Sequence, residues 1–237
     1  MKDIKIPFLP RIEEEPARKI AEAFLKRNGY LQEGANFMRL PINVEILAHR
    51  VGHPVEVFDD LQSKFDCKGT AYNNKERKRL EIYIDSDHYM NQANSAPFTI
   101  AEELAHIMIH SSIFTQIETP EDRAQLETNT RESTRRVIEK QAKCVASELL
   151  LPSILFHQYL TAWMQKNLKS ILDDRPNDED DLATFMARKI AAEIGLSEMI
   201  VKRAILRKLD TNILGDLTAR FGIKYIKDVP RNASISG

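Results

Sequence analysis

Apolar positions recur with a helical period along most of the chain and alternate in one short region. Ala17, Ile20, Ala21, Phe24 and Leu25 share one face of a helix predicted over Ile12 to Asn28, with Pro16 in its first turn and Gly29 past its end. After Pro41, the residues Val44, Ile46, Leu47 and Val51 mark a second short helix that stops near Gly52. Val55 to Phe58 alternates as a strand does. From Gly69 to Ile84 the pattern predicts a hairpin: GTAY, a polar turn at 73–77, then LEIYI with Leu80, Ile82 and Ile84 on one face. Thr115 to Asn129 is a polar stretch and reads as a loop or surface helix. Helices are predicted over Arg131 to Leu151, stopped by Pro152, and over Leu155 to Leu168.

Between the hairpin and that polar stretch lies the segment that departs most from an ordinary amphipathic pattern. In FTIAEELAHIMIH, Phe98 to His110, the residues Ile100, Ala101, Leu104, Ala105, Ile107, Met108 and Ile109 cover most of a helical circumference. A helix that apolar belongs in a core. Glu102, His106 and His110 nevertheless recur every four residues, and Glu103 lies one turn from His106, so polar groups form a stripe along a buried helix. Burying carboxylates and imidazoles is costly unless they pair or hold a metal.

Further along, Asp173 to Asp181 (DDRPNDEDD) is acidic and carries a proline, which predicts an exposed linker. It divides the chain into an expected domain at 1–172, a linker at 173–181 and a helical subdomain at 182–237. Within the last part, Leu182 to Ile194, Gly195 and Ser197 to Leu209 read as helix, turn, helix, with Ala191, Gly195 and Val201 at helix-turn-helix spacing. Six basic residues face two acidic ones between Ala183 and Leu209, a modest excess that leaves DNA binding open. A short strand-like piece is expected at Ile223 to Ile226.

Composition narrows the function classes. Lys+Arg 34 against Asp+Glu 35 over 237 residues leaves no net field for general nucleic-acid or membrane binding. Cys67 and Cys144 are too few for a disulfide framework and read as reduced thiols. The N-terminal MKDIKIPFLP lacks the apolar run of a signal peptide, and no stretch approaches the ~20 apolar residues of a membrane span. A soluble cytoplasmic protein is the expectation.

The stripe permits several chemistries. Ligating side chains at i and i+4 point the same way, which is why H-E-x-x-H holds zinc with two imidazoles while its glutamate activates a water. The corresponding residues here are Glu102, Glu103, Leu104, Ala105 and His106: the second ligand and the base are present, and a carboxylate stands first. Thr99 and Glu102 also have the T-x-x-E spacing of a capping box, a purely structural alternative for Glu102. His106 and His110 form another i, i+4 pair but have no acid between them, and His110 could equally end the helix. His88, Tyr83 and Tyr89 precede the helix as possible oxyanion partners; His49, His53 and His157 stand isolated.

At this point the chain resembles the ImmA/IrrE-type metallopeptidases. FTIAEELAHIMIH is similar to their FTxAHELGHxxxH segment, and PINVEILAHRVGHPVEV to their upstream PxxVxxIAxxLGxxV region. GTAY and LEIYI resemble the following hairpin, EKQAKCVASELLLP the E-x-x-A-[ND]-x-F-A-x-x-L-L-x-P helix, and GLSEMIVKRAIL the helical end. The resemblance implies an α+β fold: a helix-rich, zincin-like metallopeptidase domain of the gluzincin kind with a small antiparallel sheet, then helices. It implies Glu103 as general base, His106 and Glu139 as metal ligands, and Glu102 where the first ligand histidine stands in the family. Lys143 stands where the family has Asn or Asp. Members cleave or engage helix-turn-helix transcriptional repressors, so a protein partner of that class is implied.

The carboxylate at 102 changes the expected electrostatics. Two imidazoles and one carboxylate around a divalent ion leave about +1, whereas Glu102, His106 and Glu139 leave about zero, which polarises water less. Two carboxylates also suit manganese or iron relatively better than a zinc site does, although zinc is the family's expected ion. Lys143, one turn beyond Glu139, offers a counter-charge without any metal. The sequence therefore supports a metal-dependent endopeptidase first. An inactive regulator on the same scaffold and a DNA binder are the alternatives.

Overall fold

A computed structural model describes residues 4–7, 12–32, 40–174, 176–208 and 218–223. The expected strand-like tail falls outside them apart from Ile223. Two units are formed, Met1–Pro152 and Ser153–Gly237. Of the segment expected as a linker at 173–181, Asp173 and Asp174 end one helix of the second unit and Glu179 to Asp181 begin the next.

In the first unit, α1 (Glu14–Arg27) buries Ala17, Ala21 and Leu25, spaced every four residues, against α8 (Glu132–Leu150). Pro16 is tolerated in its first turn because the amide it lacks would have no partner there. α2 (Val44–Arg50) starts where the Asn43 side chain accepts from the Ile46 amide at 2.9 Å. Strands β1 (Val55–Phe58), β2 (Gly69–Asn74) and β3 (Arg79–Asp85) make one sheet in the order β1-β3-β2. The β2–β3 hairpin is antiparallel, with Ala71 opposite Ile82, as its alternation predicts. The sheet is nevertheless mixed instead of antiparallel throughout, since β1 runs parallel to β3 with Val55 opposite Ile82. That pairing follows from a crossover through α3 (Leu61–Phe65) and β2, which local periodicity does not reveal.

After α4 (Ser86–Asn91), α5 (Ala96–Ile109) lies between the sheet and α8. Its apolar circumference is thereby used: Ile100, Ala101, Leu104 and Ala105 are all buried. Gly69 lets the hairpin come this close. A Cβ there would stand 2.6 Å from Thr99 Cγ2 and 3.3 Å from Glu103 Cγ, so an alanine would push β2 off the helix. The short α6 (Ser111–Phe114) leads to α7 (Pro120–Asn129), where the polar stretch forms a helix with its own capping box, Thr119 with Asp122.

The second unit holds α9 (Ser153–Asp174), α10 (Glu179–Ile194) and α11 (Glu198–Lys208). Glu193 on α10 accepts from Tyr159 Oη at 2.9 Å and Trp163 Nε1 at 3.0 Å, fastening α10 to α9. Gly195, at φ +70°, ends α10 in the left-handed conformation that glycine adopts without strain, giving the expected helix-turn-helix hairpin. Among the described residues, no helix is long and apolar enough to cross a membrane.

Candidate metal centre

Helix α5 presents Glu102, Glu103 and His106 at neighbouring positions of one turn, and α8 runs alongside it. That packing brings Glu139 across to His106, with Oε1 3.8 Å from Nε2. One ligand atom from each of Glu102, His106 and Glu139 lies within 4.8 Å of the others. His106 is fully buried, whereas the side chains of Glu102 and Glu139 keep 15% and 27% of their exposure. The centre is a pit with an imidazole at its floor and two carboxylates at its rim.

Glu102 does not cap the helix. α5 opens at Ala96, three residues before Thr99, with Pro97 in a first turn where a missing amide costs nothing, so Thr99 lies inside the helix. Its hydroxyl pairs instead with His88 Nε2 at 2.9 Å. Glu102 faces Lys143, whose Nζ lies 3.5 Å from Oε1. Burial pushes Glu102 up to about 8, against the pull of Lys143 and with the push of Glu103 and Glu139. Burial resists ionisation of Glu139 too, but the cations Arg123 and Lys143 hold it well below the usual carboxylate range.

Arg123 is the component that sequence reasoning missed. It sits on α7, is 6% exposed, and stands over Phe114 with 5.3 Å from its Cζ to the ring centre. Its Nη2 donates to Glu139 Oε1 at 3.2 Å and its Nε to Glu127 Oε1 at 3.1 Å. Nothing in the polar run 115–129 marks one arginine as buried. Only the partner carboxylate, 16 residues away, explains it.

Glu103 is 5% exposed, and its Oε2 accepts from the Ala71 amide of β2 at 2.8 Å. Burial pushes it up to about 7, opposed by Arg123 and by that amide. A carboxylate that exchanges protons near neutrality is suited to act as a general base and then as an acid.

His106 Nε2 is buried and without a hydrogen-bond partner, although a carboxylate stands 3.8 Å away. Burial lowers the ring's affinity for protons to about 4, so Nε2 is a bare lone pair or a bare N–H and the imidazole is neutral. A buried polar atom left unpaired costs about 1–3 kcal/mol. Two carboxylates converging on an orphaned imidazole nitrogen form a donor set for a divalent cation, and they fit one. His110, by contrast, has both nitrogens occupied. Nδ1 lies 3.1 Å from His106 Nδ1 and Nε2 lies 2.9 Å from Gln141 Oε1.

The remaining candidates are engaged elsewhere. Tyr83 donates to the Tyr72 hydroxyl and Tyr89 to Glu45. His88 is spanned by Gln92 and Thr99, and His53 Nδ1 meets the Leu80 carbonyl at 2.9 Å. Cys67 and Cys144 are buried and form no disulfide, and burial pushes Cys67 up to about 12, far from a nucleophile. A family model described as peptidase M78, IrrE N-terminal-like domain, matches residues 53–206. A search of curated proteins finds no match.

Proposed function

Because the chain belongs to the IrrE N-terminal-like family of M78 metallopeptidases, we propose that it is a metal-dependent endopeptidase whose cation is held by Glu102, His106 and Glu139. The orphaned Nε2 of His106, buried beside two carboxylates from two helices, is the observation that carries this reading. A divalent cation bound there supplies the charge that polarises a water and the scissile carbonyl. Glu103 takes a proton from the attacking water and passes it to the departing amine. The Ala71 amide fixes Oε2 for this, leaving Oε1 as the oxygen available for the proton. A ligand set of net charge about zero favours manganese or iron more than the family's zinc site does. The substrate class we propose is a regulatory protein, with a helix-turn-helix repressor as the first candidate on the strength of the resemblance.

Metal content of purified protein, measured by mass spectrometry for wild type, His106→Ala and Glu139→Ala, tests the reading. About one bound ion in the wild type and almost none in either variant is expected; equal, negligible metal in all three overturns it.

Two ion pairs favour a second reading. Lys143 with Glu102 and Arg123 with Glu139 neutralise the carboxylates without a cation, as a partner-binding regulator that has lost hydrolysis would require. Glu103→Gln separates the two. Loss of biological output in a folded variant supports hydrolysis, and undiminished output supports the regulator.

A further inference from the structure

Two buried side chains behind the centre, His110 and Gln141, connect in line to the far nitrogen of His106. Gln141 is 2% exposed and His110 1%. They form a line: Gln141 Oε1, 2.9 Å to His110 Nε2, then His110 Nδ1, 3.1 Å to His106 Nδ1. Two imidazoles meeting Nδ1 to Nδ1 need one donor and one acceptor, because a neutral ring carries one proton on its two nitrogens.

The amide oxygen decides which is which. Oε1 only accepts, so His110 carries its proton on Nε2 and donates it to Gln141. With that nitrogen protonated, Nδ1 of the neutral ring is a lone pair and accepts. His106 must then donate from Nδ1, which leaves Nε2 deprotonated and facing Glu139. Burial keeps both rings neutral, since charge is disfavoured away from water. Had the amide been turned round to donate, each step would invert and His106 would present an N–H, which cannot ligate a cation, to the centre.

We propose that Gln141 and His110 are positioning residues that fix His106 in the Nδ1–H tautomer and so aim the Nε2 lone pair at the metal position. The inference rests on the reading of His106 as a ligand, and it adds a relay in which a neutral amide on α8 sets the donor state of an imidazole on α5 through a second imidazole. Histidine ligands commonly donate their far nitrogen to a carboxylate or a carbonyl. Here a second histidine takes that place, and its own state is set by Gln141.

The test is long-range nitrogen–proton NMR of the metal-free protein, which distinguishes the two ring nitrogens of His106 by their shifts. Wild type is expected to show a protonated Nδ1 and a bare Nε2 at His106, with the opposite assignment at His110. A protonated Nε2 at His106 overturns the relay outright, and needs no variant to do so. Gln141→Met is expected to mix the tautomers of both rings and to weaken manganese or zinc binding, measured by chelator competition, about 10–100-fold. Gln141→Glu, which keeps an accepting oxygen at the same reach, is expected to restore the single tautomer and most of the affinity. Equal affinity and unchanged shifts in Gln141→Met contradict the relay. The expected tautomer in a protein that binds neither ion sinks the metal reading and leaves the relay standing.

Discussion

Two sets of buried polar groups flank the same sheet and helix, and they differ in one respect. On the sheet side, Glu81 accepts from Asn74, Arg77 and Arg79, Asp85 accepts from the Gln62 and His88 amides, and His88 has a partner at each ring nitrogen. On the α8 side, His106 has a partner at one nitrogen and none at the other, and the carboxylates beside it lean on Lys143 and Arg123. Each pattern is built from similar residues. The difference teaches where the fold spends stability on itself and where it holds groups ready for a ligand.

That contrast can be broken by mutation. The largest effect belongs to Glu103→Gln, which leaves a side chain of the same shape on the Ala71 amide and is expected to lower kcat/KM on a protein substrate by about 10²–10⁴. Circular dichroism should show it folded; full activity would remove Glu103 from the chemistry. Next, Glu81→Ala removes a buried carboxylate that accepts from Asn74, Arg77 and Arg79 and should cost about 1–3 kcal/mol in urea unfolding while leaving metal content untouched. His106→Leu should do the reverse, abolishing bound metal while costing the metal-free protein less than Glu81→Ala does, because the unpaired Nε2 it removes offsets the bond to His110 Nδ1 that it breaks. Similar stability losses for the two variants would erase the distinction.

Acidity separates the two regions in another way. Glu102 and Glu103 are pushed from an ordinary 4.5 to about 8 and about 7, so the folded state holds protons that the unfolded chain releases. Their contribution is fully present below pH 4.5 and is lost as pH rises through 7 to 8. His106 goes the other way, from 6.5 down to about 4, so its contribution is present above pH 6.5 and is lost as pH falls toward 4. Metal-free protein in chelator should therefore lose stability from pH 5 to 8, and Glu102→Gln should recover roughly 1–2 kcal/mol of that loss at pH 8. An identical pH profile for the variant would mean that Glu102 ionises normally. The smallest effect is expected for Lys143→Met, which removes a competing cation 3.5 Å from Glu102 and should tighten divalent-ion binding by up to about tenfold, read by calorimetry.

Local patterns carried much of this fold into view. Leu80, Ile82 and Ile84 announced β3, the spacing of Ala17, Ala21 and Leu25 announced α1, and Gly195 announced the end of α10. Features decided by distant partners stayed hidden. The parallel pairing of β1 depends on residues 27 positions away, such as Ile82 for Val55, and Arg123 reveals its role only when Glu139 folds over it. Thr99 and Glu102 matched a capping pattern, but α5 opens at Ala96 with Pro97 in its first turn, so Thr99 lies inside the helix. At the centre, the polar stripe on α5 was legible because it breaks an apolar helix. The division of labour between His106 and His110 was not, because it depends on Gln141 from α8.

The central claim is that Glu102, His106 and Glu139 hold one cation together. Anomalous diffraction from crystals soaked separately in manganese and zinc tests it most directly. An ion is expected there with His106 Nε2 and oxygens of Glu102 and Glu139 near the ~2.0–2.2 Å of bound ligands, and with Arg123 and Lys143 drawn off those oxygens. Soaked crystals without a peak there, the Arg123–Glu139 and Lys143–Glu102 pairs intact, would contradict it.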